Sequence, residues 1–400
     1  MFFLACGQSP VSKLELERES AILSAPDTAA GDIYGGAVAI SGEFSIVAAE
    51  WDDDHGMNSG AAWVFRLKSG EWRRAQKLVA PDAAQGDNFA RAVALRGRTA
   101  VIGAHWDDTA AGANAGSAYV YRFDGESWKF ESKLVARNGA GGDAMGNAVA
   151  VDGDWIAVGA WRKDDRGKDS GAVHMFHRSD GRWIEMQTLT ASDAAASDEF
   201  GQSISLSTDT LVIGSWKSDA AGEDSGAAYV YRRSGQSWVP EQKLVAADLA
   251  ADDRFGVCAS VDGNLVLVGA YGSEAGGPDA GAGYVFRHDG SRWVEEQKLV
   301  PRTPSKNAWV GYAVAIQENV AVLSSHKVFA KSAGPPGSAY VFEYEGGRWT
   351  QSLELAPSDG HPGDVFGFHL ALDDRRVVAG AWRHNHAGKN SGRAYIFDLR

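Results

Sequence analysis

The chain is predicted to be all-β: a ring of seven small antiparallel sheets, each of four strands, closed by a strand from its own N-terminus. Three observations carry this. The phrase Gly-Ser-Ala-Tyr-Val-Tyr at Gly116 returns with small changes at Gly60, Gly171, Gly226, Gly281, Gly337 and Gly392, always 55 or 56 residues apart. Short apolar runs broken by turns, repeated at that period, are the mark of propeller blades. A length of 400 residues exceeds one ordinary core but suits seven sheets that bury their faces on one another. The expected architecture is a seven-bladed β-propeller over residues 13–400, behind a leader of residues 1–12.

The strands of one blade can be read from Phe200 to Leu244. Phe-Gly-Gln-Ser-Ile-Ser-Leu gives the innermost strand, Leu-Val-Ile-Gly the second, Ala-Ala-Tyr-Val-Tyr the third and Trp238 to Leu244 the outermost. The innermost strand alternates with period two. In the first copy Tyr34, Val38 and Ile40 share one parity, and Gly35, Ala37 and Ala39 the other, so a large face can nest on the small face of the next blade. The second and third strands, such as Leu211 to Ile213 and Tyr229 to Tyr231, are apolar at successive positions, as central strands covered on both sides should be.

The outermost strand carries Trp72, Trp128, Trp183, Trp238, Trp293 and Trp349, each followed six residues later by Leu78, Leu134, Leu189, Leu244, Leu299 and Leu355. An even spacing puts Trp and Leu on one face, where both pack between blades. The seventh blade lacks this strand at the C-terminus. Residues 13–23 stand in the matching place, with Leu23 four residues before Asp27 as Leu78 stands before Asp82, and Glu17 where the Trp should be. This segment is expected to pair with the last blade and remove its open edge.

Composition narrows the functional classes. A net charge of −13 opposes binding to a phosphate backbone, so nucleic acid is not an expected partner. Apolar runs stay far below the ~18 residues of a membrane helix. The two cysteines, Cys6 and Cys258, lie in unrelated contexts and support no disulfide framework. Phe3-Leu4-Ala5-Cys6-Gly7 resembles the lipobox of bacterial lipoproteins, which implies lipidation of Cys6 and a membrane tether through that lipid alone. Only five residues precede it, fewer than an export signal needs, so a chance apolar start and a gene start upstream of Met1 stay open beside that reading.

Phe200-Gly201 and Phe255-Gly256, with Val158-Gly159-Ala160 and Val268-Gly269-Ala270 before Gly-x-Ala-Tyr-Val-Phe strands, resemble FG-GAP repeats, the blades of the integrin alpha-subunit propeller and of many bacterial surface proteins. The resemblance covers nearly all of residues 13–400. It implies roles in adhesion or ligand recognition and no catalytic motif. Integrin-like blades often carry an Asp-x-Asp-x-Asp-Gly calcium loop between the first two strands. Here that connection is a tight turn, as in Asp152-Gly153-Asp154, Ser207-Thr208-Asp209 and Asp262-Gly263-Asn264, so that site is not carried over.

In a four-stranded meander the second-to-third loops and the blade connections share one rim, and loops on a rigid scaffold are where binding residues collect. Trp51, Trp106, Trp161, Trp216, Tyr271, His326 and Trp382 begin those loops and are candidates for a broken aromatic ring suited to stacking a sugar. Plugging the mouth between blades is the plainer reading. The same rim is acidic, with Asp52 to Asp54, Asp107, Asp108, Asp164, Asp165, Asp169, Asp219, Glu223 and Asp224. A second pattern pairs Asp27 with Asp32, Asp82 with Asp87, Asp193 with Asp198, Asp248 with Asp253 and Asp359 with Asp364. Five recurrences favour a turn-capping duty over divalent cation binding, and calcium is the minor alternative.

Blade six departs from the pattern, with Thr303 and Ala308 for the Asp pair and a basic, apolar sector of Arg302, Lys306, Trp309, Lys327, Phe329 and Lys331. Repeat decay and a specificity patch both account for it. Blade seven adds His361, His384 and His386, a weak metal signal on which no metal site or cofactor is assigned. No Gly-x-Ser-x-Gly elbow, His-Glu-x-x-His helix or phosphate-cradling loop occurs, so no enzyme activity is expected. The sequence thus points to a monomeric recognition or adhesion module that binds a protein or glycan through the long-loop face. It is expected to be exported, at the cell surface or outer membrane or secreted. A lectin using the aromatic ring and a structural module of a cell-surface assembly are the alternatives.

Overall fold

The computed structural model describes residues 15–326 and 336–399. Seven sheets follow one another along the chain, each a meander in which consecutive strands pair antiparallel. Blade one runs Val38–Ser41, Phe44–Ala49, Ala61–Lys68 and Glu71–Leu78, and blade four Ser203–Ser207, Thr210–Ser215, Ala227–Ser234 and Ser237–Leu244. No helix occurs among the described residues. The inner strands surround a central channel of about 340 Å³ lined by Val38, Val93, Val149, Ile204 and their counterparts.

The alternation of the inner strand works as expected. Tyr34, Val38 and Ile40 lie in the core shared with blade seven, while Ala37 and Ala39 lie in the core shared with blade two, opposite Phe89, Val93 and Leu95. Large meets small at the joint. Close approach also explains the signature glycine. A Cβ at Gly226 would stand 2.0 Å from the carbonyl oxygen of Phe255, and its φ of +86° is one that side chains disfavour. The glycine of each repeat therefore touches the backbone at the Phe-Gly position of the next, and neither motif can change alone.

The outer strand differs from the sequence expectation. Trp and Leu face opposite sides of the blade: Trp238 belongs to the core between blades three and four, Leu244 to the core between blades four and five. The cause is a β-bulge. Pro240 pairs with Tyr231 but Gln242 pairs with Val230, so one extra residue reverses the parity between Trp and Leu. The bulge recurs in blades one to six. Packing between blades remains the duty of both side chains, now as a clamp on two neighbours rather than one.

Two kinds of polar tie reinforce the joints between blades one to six, and two of those joints carry both. The Gln242 amide donates to the Trp293 carbonyl and accepts from the Trp293 N–H, at 2.9 and 2.8 Å, and Gln76, Gln187 and Gln297 hold Trp128, Trp238 and Trp349 in the same way. Where the bulged residue is a glutamate, it accepts from the indole N–H of the next blade: Trp183 to Glu131, Trp293 to Glu241, Trp349 to Glu296.

Closure comes from the N-terminal segment, with one correction. Ala21–Leu23 pairs antiparallel with Arg393–Asp398 and supplies the fourth strand of blade seven. Glu15–Glu17 does not extend that strand. It crosses to blade six and pairs parallel with Leu353 to Leu355 as a fifth strand. Without a Trp to bury, nothing holds this stretch against blade seven, and the Arg18 guanidinium instead donates to the carbonyls of Ala356 and Pro357 at 3.3 and 2.7 Å. One short segment thus grips both end blades.

Candidate functional site

The long-loop mouth is assembled from repeated contacts. Each second-to-third loop hydrogen-bonds the blade connection after it: Gly86 N–H to the Met57 carbonyl, Ser197 to Lys168, Asp252 to Glu223, Gly31 to Lys389. Most of the acidic residues are consumed here. Asp53, Asp108, Asp164 and Asp219 accept loop N–H groups at 2.7 to 2.9 Å, which closes the loops on themselves. In the paired aspartates the second member, as Asp87 or Asp198, accepts the N–H three residues before it. Asp143 does the same although Asn138 hid it from the pairing pattern. The first member binds the outer-strand lysine of the next blade: Lys77 to Asp27, Lys133 to Asp82, Lys243 to Asp193, Lys298 to Asp248, at 2.6 to 2.8 Å. Burial raises the Asp87, Asp198 and Asp253 carboxyls and pushes Asp32 up to about 6. On the opposite rim the turn aspartates tie blade to blade, as Asp152 accepts from Thr208 N–H, Asp262 from Glu318 and Asp373 from Gly42.

The aromatic candidates do not form one ring. Trp161, Trp216, Tyr271, His326 and Trp382 share one register position, directly after the second strand. That position in blades one and two holds Glu50 and His105, and Trp51 and Trp106 stand one residue further out. Trp51 is accordingly 42 % exposed, away from the other rings. Its neighbour Glu50 is buried and accepts from the Asn88 amide at 3.1 Å, with Arg91 at 3.6 Å. Over blade one a charged, hydrogen-bonded residue therefore takes the aromatic position, while over blade two His105 takes it and packs on Trp106 with centroids 4.4 Å apart.

Over blades four to seven a continuous arc does form. Ring centroids run from Trp216 to Tyr271 at 6.3 Å, Tyr271 to Trp309 at 5.4 Å, Trp309 to His326 at 5.6 Å, Tyr312 to Phe368 at 5.3 Å and Phe368 to Trp382 at 5.9 Å. Sequence reading missed Tyr312, Phe368, Arg91 and Arg254. Their signal was present: the residue after each Phe-Gly equivalent varies through Gly36, Arg91, Asn147, Gln202, Val257, Tyr312 and Phe368 beside nearly fixed neighbours, as a position facing open space can. The residue before each Phe-Gly, among them Asn88, Glu199, Arg254 and Trp309, adopts positive φ in all seven blades, a strained conformation held by the loops around it.

Cations also cover the rings of the mouth, and most of them are paired with its carboxylates: Lys217 with Glu199, Arg254 with Asp224 and Asp252, and Arg162 with Asp169. Arg162 lies 5.8 and 5.3 Å from the Trp106 and Trp161 centroids, Lys217 and Arg254 each 5.0 Å from Trp216, and Arg383 4.5 Å from Trp382. Trp216 in addition donates its indole N–H to Glu199 at 2.7 Å. Basic character is therefore spread over blades two to five and seven rather than confined to blade six. In that blade Trp309 joins the arc, while Lys327, Phe329 and Lys331, like Cys6, lie outside the described residues.

Burial holds two mouth histidines neutral, pushing His105 down to about 2 and His326 down to about 3. Their pKa values in the unfolded chain are near the ordinary ~6.5, so they favour the fold above that pH and oppose it as pH falls. The urea midpoint is expected to drop from pH 7 to pH 5.5, with at most about 1.4 kcal/mol per pH unit from each histidine. Asp32, whose raised carboxyl gains stability from protonation below about pH 6, flattens the lower end of the curve. His326→Gln should lessen the slope; an unchanged slope would remove His326 from the account.

The comparisons agree with the geometry. The FG-GAP repeat model matches residues 18–65, 72–121, 128–176, 183–231, 238–286, 293–342 and 349–397. Each match runs from an outer strand through the third strand of the following blade, one strand out of phase with the sheets, and this offset is what lets the first match close the ring. No curated protein matches by sequence. Among solved structures the chain is similar to the crystal structure of Saccharomyces cerevisiae Sqt1, with TM-score 0.50 and 11 % identity over 96 % of this chain and 99 % of that one, a likeness of fold alone. With seven matched repeats forming seven blades, this chain belongs to the FG-GAP repeat family.

Proposed function

We propose that this propeller is a non-catalytic recognition module, working outside the cytoplasm in an adhesion-like role, that binds a protein or glycan through its long-loop mouth. The observation that supports this best is the arc from Trp216 to Trp382, flanked by Lys217, Arg254 and Arg383, on a scaffold whose loops are tied blade to blade. Rings faced by cations favour an acidic ligand, which can take Lys217 and Arg254 from their own carboxylates, Glu199, Asp224 and Asp252, while its apolar parts lie on the arc. A lectin is the second reading, favoured by the run of adjacent rings between Tyr271 and Phe368.

The test is a panel of glycans and acidic peptides offered to the purified chain, with and without calcium. Saturable binding is expected, with a change in Trp fluorescence, weakened at least tenfold in Trp216→Ala or Arg254→Ala. Sugar-only binding would select the lectin. Binding that survives both variants would place the ligand elsewhere, and a blank across the panel would overturn the acidic-ligand reading.

A further inference from the structure

Blade seven departs from the lysine–carboxylate pattern of blades one, two, four and five, and three substitutions at one place show how. In blades one, two, four and five a lysine opposite the third-strand aromatic (Lys77 opposite Trp63, Lys298 opposite Tyr284) sends its ammonium to the loop carboxylates. Lys77 is held by Asp27, Asp52 and Asp54 together, at 2.8, 2.7 and 2.6 Å. In blade seven the residue opposite Tyr395 is Ile22, which carries no charge. The carboxylate position of Asp52 and Asp107 is occupied by His384, and the alanine position of Ala29, Ala84, Ala195 and Ala250 by His361. Arg393 answers part of the loss by pairing with Asp359.

What remains is His361, Asp364 and His384, each able to place one ligand atom within 4.8 Å of the other two. His384 is 5 % exposed, and neither ring nitrogen has a hydrogen-bond partner among the described residues. Its Nε2 points between Asp364 and Asp359, 3.8 and 3.7 Å from their carboxylate oxygens, too far for hydrogen bonds. A buried imidazole left without a partner is costly, and a bound ion would satisfy it. Its backbone is fixed: the His384 N–H donates to the Ala381 carbonyl at 3.0 Å, and its carbonyl accepts from Gly392 N–H at 2.8 Å. Asp364 is anchored by the His361 N–H at 2.6 Å. The His361 ring is exposed and free to swing, which leaves a path for an ion to enter.

We propose that His361, Asp364 and His384 form a site for a first-row transition metal ion, zinc being the ion to probe. Two imidazoles and one carboxylate suit such a borderline ion better than calcium, which prefers an all-oxygen shell. Tetrahedral ligands at zinc lie about 3.3 Å apart, so binding requires the His361 ring to close by roughly 1.5 Å or less. Three protein ligands leave the fourth position to water or a partner's donor group. The Asp27, Asp52 and Asp54 cluster meets the same distances but already holds the Lys77 ammonium.

The experiment is calorimetric titration of the full, untagged chain with zinc after chelator treatment, together with the visible spectrum of the cobalt form. One equivalent should bind, the cobalt form should show tetrahedral ligand-field bands, and zinc should raise the melting temperature. His361→Ala should weaken binding by more than about tenfold, a loss that second-sphere changes alone can reach. His384→Ala should abolish it and His386→Ala should leave it unchanged. Should His384→Ala misfold, Asp364→Asn and His384→Gln, each checked by circular dichroism, serve in its place. Absence of one-equivalent binding in the parent chain, or unchanged affinity in a folded His384 variant, would overturn the site.

Discussion

Deleting residues 1–23 is expected to lower the urea midpoint sharply and to drive association into larger species or aggregates. Leu23 is 1 % exposed and lies in one core with Tyr34, Val38, Val378 and Ile396, so its loss alone, as Leu23→Ala, should cost ~2–5 kcal/mol. Deletion removes more. Arg393–Asp398 would become an edge strand with unpaired N–H and C=O groups, ready to pair with another chain. The grip of Arg18 on Ala356 and Pro357, and of Glu19 on Ser358 N–H at 2.9 Å, would go as well, removing the tie that the N-terminal segment makes between blades six and seven. Size-exclusion chromatography and urea unfolding of the truncated and Leu23→Ala chains make the comparison. A truncated chain that stays monomeric with an unchanged midpoint would show that the ring closes without this segment.

That outcome also marks what a sequence can reveal. The period, the strand order and the role of residues 21–23 were legible because every blade must solve the same joint: Gly226 touches Phe255 backbone to backbone, and the same contact forces the same residues in each copy. The outer-strand bulge was not legible. It inserts one residue, such as Glu296, between Trp and Leu, and outside blade four no Gly or Pro marks it, so the six-residue spacing read as one face when it spans two. Glu15–Glu17 was misplaced for a related reason, since its pairing with blade six depends on the distant carbonyls of Ala356 and Pro357 rather than on its own pattern.

The site was legible in outline only. Trp216, Tyr271, His326 and Trp382 were found because they follow a fixed strand end. Trp51 and Trp106 were grouped with them although they stand two residues past the strand end rather than one, and what that shift does emerges only when Glu50 and His105 are seen to hold the register. Charge was misread in the same way. Asp53 and Asp164 look like ligands in the sequence but spend their oxygens on loop N–H groups, whereas Arg254 and Arg162 reach rings on other blades, which no local pattern records.

Trp238→Ala is expected to destabilise the ring by ~3–5 kcal/mol, read as a fall in the urea midpoint. Trp238 is 1 % exposed and meets Trp155 of the preceding blade edge to face, with centroids 5.7 Å apart and planes at 88°. Its truncation opens a cavity between two blades whose strands cannot close up without breaking the Gln187 clasp on the Trp238 backbone. Trp72→Ala should cost clearly less, because Trp72 is only half-buried and lies at the edge of its core. The indole nitrogens separate packing from hydrogen bonding. Opposite Trp238 the bulged residue is Met186, not a glutamate, so its buried N–H has no acceptor among the described residues, whereas Trp349 donates to Glu296 at 2.9 Å. Trp238→Phe keeps most of the ring contact and discards an unsatisfied donor, while Trp349→Phe discards a hydrogen bond to a charged partner, a difference of about 1.5–3 kcal/mol in the opposite sense. The midpoint of Trp238→Phe should therefore stay above that of Trp349→Phe. Equal losses at Trp238 and Trp72 on truncation to Ala would mean that burial between blades is not what these tryptophans contribute.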